Sequence, residues 1–433
     1  MKKFVLVLVC VMLITSFTGC TKKAAPTTSG PAVQTQAEKI AEIDLLATTT
    51  IYFDGVRLSY IEPRSDLPKA LPLKIKGGVP YIGMAMARMT SQVQTGWVSA
   101  TAERCKQYGY KFEFTDAGGS TEKQRANFDT MVTKGVDVIL INPLDPVSNE
   151  MDVQRAVAKG VAVIGYGIPF FPTADVITCF GQQSYEAGFA LGQKAAIALE
   201  GESVKMGLII SRYGQSSLES TANGFVAGLI HDRFAQMGKP FASKEDAMLY
   251  AYKKYVEFRK KGKLNVPDAN IDIVASGEGQ LTASVTMKVT EDMFTAHPDI
   301  NLLYVGTDVE GEGTVTALDL LGIPYGVGKK LQLVFGGGAT ESSMNLLGEG
   351  KLVATVDFPP ADVAYPMVDL IHAILSENFD ANNLPISTYN PIVLLTKDNV
   401  DQYQVKGQYW PKSTLPATFK PISIDELNAQ HSN

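Results

Sequence analysis

Two aspartates stand where a polar ligand could be held. Asp145 follows the run VDVILINPL and Asp308 follows NLLYVGT, so each comes directly after a short apolar stretch. A carboxylate there can accept two hydroxyl hydrogen bonds, and such charge-assisted bonds are the strong ones. Arg88 and Arg212 follow two further apolar runs and could bind an anionic ligand. Trp97, Tyr166, Phe170, Phe171, Tyr213 and Phe358 are the aromatics placed to cover an apolar C–H face of such a molecule. Other chemistry finds little support. The sequence has no nucleophile elbow and no P-loop, and the GGG at 336–338 lacks GxGxxG spacing. The four histidines are scattered, so no metal and no cofactor is expected. Asp145 and Asp308 would be the obvious carboxylate pair of a glycosidase, and nothing else in the sequence supports an enzyme.

These residues need elements to position them. From residue 79 short apolar runs alternate with longer amphipathic segments. The runs are VPYIGMAMA (79–87), YKFEFTDA (110–117), VDVILINP (136–143), VAVIGYG (161–167) and VITCFG (176–181). Then come KMGLIIS (205–211), IDIVASGEG (271–279), NLLYVGTD (301–308), LQLVFGGG (331–338) and KLVATVDF (351–358). Helical spacing separates most of them, as with Val98, Ala102 and Cys105. Continuous Val/Ile/Leu runs between helices predict parallel strands buried on both faces. Ten such units exceed an eight-stranded barrel and predict two doubly wound α/β lobes. The proline-containing break at 167–176 reads as a crossover between them. Ligands in such sheets bind beyond the carboxyl ends of the strands, where the candidate residues lie.

The N-terminus predicts export. Lys2 and Lys3 precede the apolar run Phe4–Ile14, which is too short to span a bilayer as a mature helix. Phe17-Thr18-Gly19-Cys20 resembles a lipobox, which makes 1–19 a lipoprotein signal peptide and Cys20 the lipidated residue. Residues 20–37 are small, polar and Pro-containing, the composition of a flexible tether. A chain that is 45% hydrophobic and 19% charged is globular, and its net charge of −6 gives no reason to expect nucleic acid. Cys105 and Cys179 sit in apolar patterns and are expected reduced and buried. Residues 38–78 form an N-terminal extension. Residues 237–270 read as an insertion with a helix in which Leu249, Tyr252 and Val256 share one face and lysines the other.

Residues 79 to about 400 resemble the ribose/galactose-type periplasmic binding proteins of ABC transporters, the type I family. The blocks that carry the resemblance are GVDVILINPLDP (135–146), GVAVIGY (160–166), FTAHPDINLLYVGTD (294–308) and LLGEGKLVATV (346–356). The resemblance implies two Rossmann-like lobes joined by a three-crossover hinge, with 79–166 plus 359–386 in the first lobe. The second would hold 167–358 plus 387–420, including the strand NPIVLLT (390–396). It also implies an extracytoplasmic, monomeric solute-binding protein that takes a sugar-like molecule between the lobes. The partners would be an ABC transporter permease and, through the lipid, the membrane; a sensing lipoprotein for a membrane receptor would use the same form. Asp145 and Asp308 match ligand-contacting acids of the family, with Thr307 replacing an Asn beside Asp308. The aromatic clamp is replaced by Val93 and Gln94, and an Asp-Arg pair by Gly167-Ile168. Glu219, Gly338 and Phe358 stand at three further ligand positions.

Overall fold

The computed structural model describes residues 78–90, 92–168, 175–357, 360–377, 379, 381, 384, 387–390 and 393–403. Cys20, the tether, nearly all of the 38–78 extension, Phe170, Phe171 and Phe358 therefore lie outside the described residues.

In the first half β1 (Tyr81–Met86), α1 (Gln92–Gln107), β2 (Lys111–Asp116), α2 (Thr121–Lys134), β3 (Val138–Ile141), α3 (Pro146–Ala158), β4 (Ala162–Gly167) and β5 (Cys179–Gln182) follow one another. The chain continues with α4 (Ser184–Ala198), β6 (Val204–Ile210), α5 (Ser216–Gln236), α6 (Lys244–Lys261), β7 (Leu264–Val266), β8 (Ile271–Glu278) and α7 (Ala283–Ala296). It closes with β9 (Leu302–Val305), α8 (Asp308–Leu320), β10 (Gln332–Phe335), α9 (Glu341–Gly348), β11 (Thr355–Asp357), α10 (Pro360–Ser376), β12 (Ser387–Asn390), β13 (Val393–Leu395) and α11 (Val400–Tyr403).

The strands build two main sheets. The first has the order β12-β5-β4-β3-β1-β2 and is parallel throughout. The second has the order β10-β9-β6-β8-β7, parallel except for the edge pair β7–β8. β11 and β13 form a short antiparallel ribbon beside β10. Each sheet is covered on both faces, which is why its central strands read as unbroken apolar runs. On one face of the first sheet Met84, Leu140 and Ile164 meet Trp97 and Val98 of α1 and Met367 and Ile371 of α10. On the other, Ala85, Ile139 and Val163 meet Phe128 and Met131 of α2 and Val153 of α3. The second sheet is likewise packed between α4, α5 and α6 on one side and α7, α8 and α9 on the other. This is the doubly wound, two-lobed α/β fold that the apolar rhythm predicts.

Two boundaries differ from the expectation. β5 pairs with β4 from Gly165↔Cys179 onward, so the break at 167–176 joins two neighbouring strands of one sheet, and the chain leaves that sheet only after Gln182. β12 pairs in parallel with β5, so 387–390 belongs to the first sheet and not the second. The chain thus passes between the sheets after β5, between β11 and α10, and between β12 and β13. The 237–270 segment is also more than an appendage. α6 buries Leu249 and Tyr252 with Tyr255 and Phe258 in the second lobe's core, leaving Val256 only partly buried, and β7 extends the sheet.

Close helix packing fixes the second lobe. Gly188 and Gly192 of α4 face Gly224 and Gly228 of α5. A Cβ on Gly228 would fall 1.9 Å from the Phe189 carbonyl oxygen, so the two backbones touch where side chains would stand. In the first lobe Arg104 of α1 donates to both carboxylate oxygens of Asp369 on α10, at 2.5 and 2.9 Å, and both residues are buried.

Candidate functional site

The carboxyl ends of both sheets open onto one cavity of about 470 Å³. The first sheet contributes Arg88 and Thr90, just after β1, and Val93 and Gln94 in the first turn of α1. The second contributes Leu281 after β8, Thr307 after β9, and Gly337, Gly338 and Thr340 after β10. Val309, Glu312, Glu341 and Ser342 complete the wall from α8 and α9. The lining is therefore mixed: hydroxyls, one amide, one guanidinium and two carboxylates, with Val93, Leu281 and Val309 as its apolar parts. No aromatic ring lines it among the described residues.

Helix starts shape the wall. The Thr90 backbone N–H donates to Gln94 Oε1 at 2.8 Å, which folds the turn into α1. Thr307 and Thr340 are the N-caps of α8 and α9, their hydroxyls accepting from the backbone N–H of Glu310 and Ser343.

Two buried carboxylates tie the loops together. Glu310 accepts from the Leu281 backbone N–H at 2.8 Å, from the Thr307 hydroxyl at 2.8 Å and from the Ser211 hydroxyl. It joins the ends of β6, β8 and β9. Burial raises its pKa, and the Ser211 and Thr307 hydrogen bonds oppose that rise. Asp308 accepts from the Thr355 hydroxyl at 2.7 Å, from the Thr340 N–H at 3.3 Å and from the Ser343 hydroxyl. It joins β9 to β10 and β11. Burial pushes its carboxyl up to about 6 against the pull of those donors. The loops they hold are strained. Gln280, Leu281 and Ala339 are three of the four described non-glycine residues with positive φ, at 55°, 57° and 44°. Such conformations persist only where the surroundings impose them, and they cluster at ligand clamps.

A family profile described as the periplasmic binding protein domain matches residues 82–378, more than half of the chain. The chain belongs to the periplasmic binding protein family. The ribose import binding protein of Bacillus subtilis (strain 168) is 24% identical over 279 residues, which cover 64% of this chain and 76% of the relative. Among solved structures, the arabinose ABC transporter binding protein of Shewanella sp. ANA-3 superposes with a TM-score of 0.60 at 19% identity, covering 74% of this chain and 93% of its own. A solute binding protein of Bacillus halodurans C-125 with bound myo-inositol gives 0.58 at 18% identity, covering 75% and 96%. These likenesses establish the fold of a type I periplasmic binding protein.

The candidates distribute unevenly over this periplasmic binding protein. Arg88 lines the cavity, and so do Val93, Gln94, Thr307 and Gly338, four of the positions at which the sequence departs from the family's pattern; Gly167, Ile168 and Glu219 do not. Arg212, partly exposed, follows β6 at the same sheet end. Asp308 lies beneath Gly338 with its carboxylate turned to Thr340, Ser343 and Thr355. Asp145 is exposed at the entry to α3, where it accepts from the Ser148 hydroxyl at 2.6 Å, and it does not line the cavity. Trp97 and Tyr166 are buried edge to face, centroids 5.4 Å apart, in the first lobe's core, and the Tyr166 hydroxyl donates to Met86 Sδ. Tyr213 lies under the Arg259 guanidinium, 4.2 Å from its ring centre, and Arg259 pairs with Glu219. Leu281, Val309, Glu312 and Thr340 line the cavity although no pattern singled them out. Their signal was positional, since each lies within a few residues of a predicted strand end.

Proposed function

We propose that this chain is the extracytoplasmic solute-binding component of an ABC transporter and holds a sugar or sugar-like molecule between its two lobes. The observation that carries this reading is the cavity at the strand ends of both sheets, with polar groups from each side converging on it. Thr90, Gln94, Thr307, Thr340 and Ser342 suit a hydroxylated frame, because each offers both a donor and an acceptor. The relatives named for ribose, arabinose and myo-inositol support the same ligand class. The family's role is binding without chemistry, and the chain is proposed to have no catalytic activity of its own. An export signal and lipidation of Cys20 would tether the monomer to the membrane beside its permease. Mass spectrometry of the molecule that co-purifies with the protein tests the central reading: a small hydroxylated solute in one-to-one ratio is expected. Turnover of chromogenic glycosides would move the protein to the enzymes. Equal labelling of the wild type and Cys20→Ser by a radioactive fatty acid would remove the anchor.

A further inference from the structure

Arg88 and Arg212 come from opposite sheets. Arg88 lines the cavity after β1, and its guanidinium lies over the turn after β2, where a Cβ on Gly119 would be 4.0 Å from Nη2. Arg212 follows β6 and does not itself line the cavity, but β6 lies between β9 and β8, the strands that lead to the cavity-lining Thr307 and Leu281. Neither guanidinium has a hydrogen bond or ion pair among the described residues, whereas Arg104, Arg125, Arg155, Arg233 and Arg259 all do. Partial burial, and after it the charge of Arg212, depress the Arg88 pKa, so the two guanidiniums repel each other. The acids in the wall, Glu312 and Glu341, are exposed on α8 and α9. No ion pair joins either of them to a guanidinium among the described residues, and burial raises the Glu312 pKa. α1, which starts beside Arg88, carries no acid in its first turn, so its positive dipole end adds to the same field. The cleft thus presents guanidiniums without ion-pair partners after β1 and β6, and exposed carboxylates on α8 and α9.

We propose that the ligand of this cleft carries an anionic group, a carboxylate or a phosphate, held between Arg88 and Arg212. Its hydroxyls would then reach the threonines and Glu312. This deepens the solute-binding reading above and rests on it. A planar guanidinium presents paired donors that match the oxygens of either group. An anion arriving between two like charges relieves their repulsion while it makes its own bonds, so a charged solute gains more here than its neutral counterpart.

The test uses matched pairs in calorimetry: hexoses against their uronates, and hexoses against their phosphates. One acidic member should bind at least about tenfold tighter than its neutral partner, and added salt should weaken it. Arg88→Gln and Arg212→Gln should each lower that affinity about 10- to 150-fold, while neutral sugars change little. Whether the uronate or the phosphate responds tells which anion is read. Neutral sugars binding as tightly as their acids would overturn this proposal and leave the solute-binding reading standing. No binding by any member of either class would overturn both. The molecule released from the purified protein, weighed in negative-ion mode, decides without a guess at the frame: an acidic mass supports the proposal and a neutral one overturns it.

Discussion

Asp308→Asn isolates the cost of a buried charge at the base of the cleft. The folded chain raises the Asp308 carboxyl from 3.8 to about 6, chiefly through desolvation. Below 3.8 both the folded and unfolded chains hold the proton. Between 3.8 and about 6 the folded chain keeps it and the unfolded chain has lost it, so wild-type stability falls as pH rises through that window. The pKa difference corresponds to about 3 kcal/mol lost by neutral pH. Asparagine has nearly the same shape. Its carbonyl, in the place of Oδ2, still accepts from the Thr340 N–H and the Ser343 hydroxyl, and its amide, in the place of Oδ1, can donate to the Thr355 hydroxyl in the reverse sense. Asparagine does not titrate. The stability of Asp308→Asn relative to wild type should therefore rise by about 3 kcal/mol between roughly pH 3.5 and pH 7. Urea unfolding followed by far-ultraviolet circular dichroism across that range measures it. A flat difference, or one that moves in favour of aspartate as pH rises, would refute the reasoning. Either result would mean that the donors at least balance burial and that the folded carboxyl is not raised at all.

Further expectations follow from packing and closure. Gly228→Ala places a methyl 1.9 Å from a carbonyl oxygen and should cost at least about 3 kcal/mol in chemical denaturation. Gly348→Ala, with nothing within 4 Å, should instead be neutral or stabilising by about 0.5–1 kcal/mol. Cys105 and Cys179 are fully buried, and burial pushes the Cys105 thiol up to about 12. Neither should react with an alkylating reagent in the native protein, and both should react in urea; native labelling of either would contradict the packing. Closure about the three passages between the sheets should make the protein more compact in small-angle scattering when ligand is added, and an unchanged profile at saturation would count against a hinge.

The central parallel strands were legible because they are buried on both faces, which leaves a bare Val/Ile/Leu run such as VILI at 138–141. β7 and β12 escaped notice for the opposite reason: LNV and STYN are short edge strands whose composition carries no apolar run. The proline break at 167–176 looked like a passage between lobes, and only the pairing of Gly165 with Cys179 shows two adjacent strands. The site was half legible. The strand-end rule located Arg88, Arg212 and Asp308, yet it does not say which way a side chain turns. In TDVEGE (307–312) both Asp308 and Glu310 turn inward to hold loops, while Val309 and Glu312 line the cavity. Tyr213 also looked free for a ligand. Arg259, from a helix more than forty residues away in sequence, covers its ring, and no local pattern reports such a contact.

Binding by a variant that fills the cavity tests the account most directly. Val309 is partly buried in the wall and makes none of the tying hydrogen bonds of Asp308 or Glu310. Val309→Trp would place an indole in a space of about 470 Å³ that the solute needs. Calorimetry with the co-purified solute should show affinity reduced at least about 100-fold, roughly 2.7 kcal/mol, with the melting temperature nearly unchanged. Wild-type affinity in that variant would place the binding site elsewhere and contradict the account.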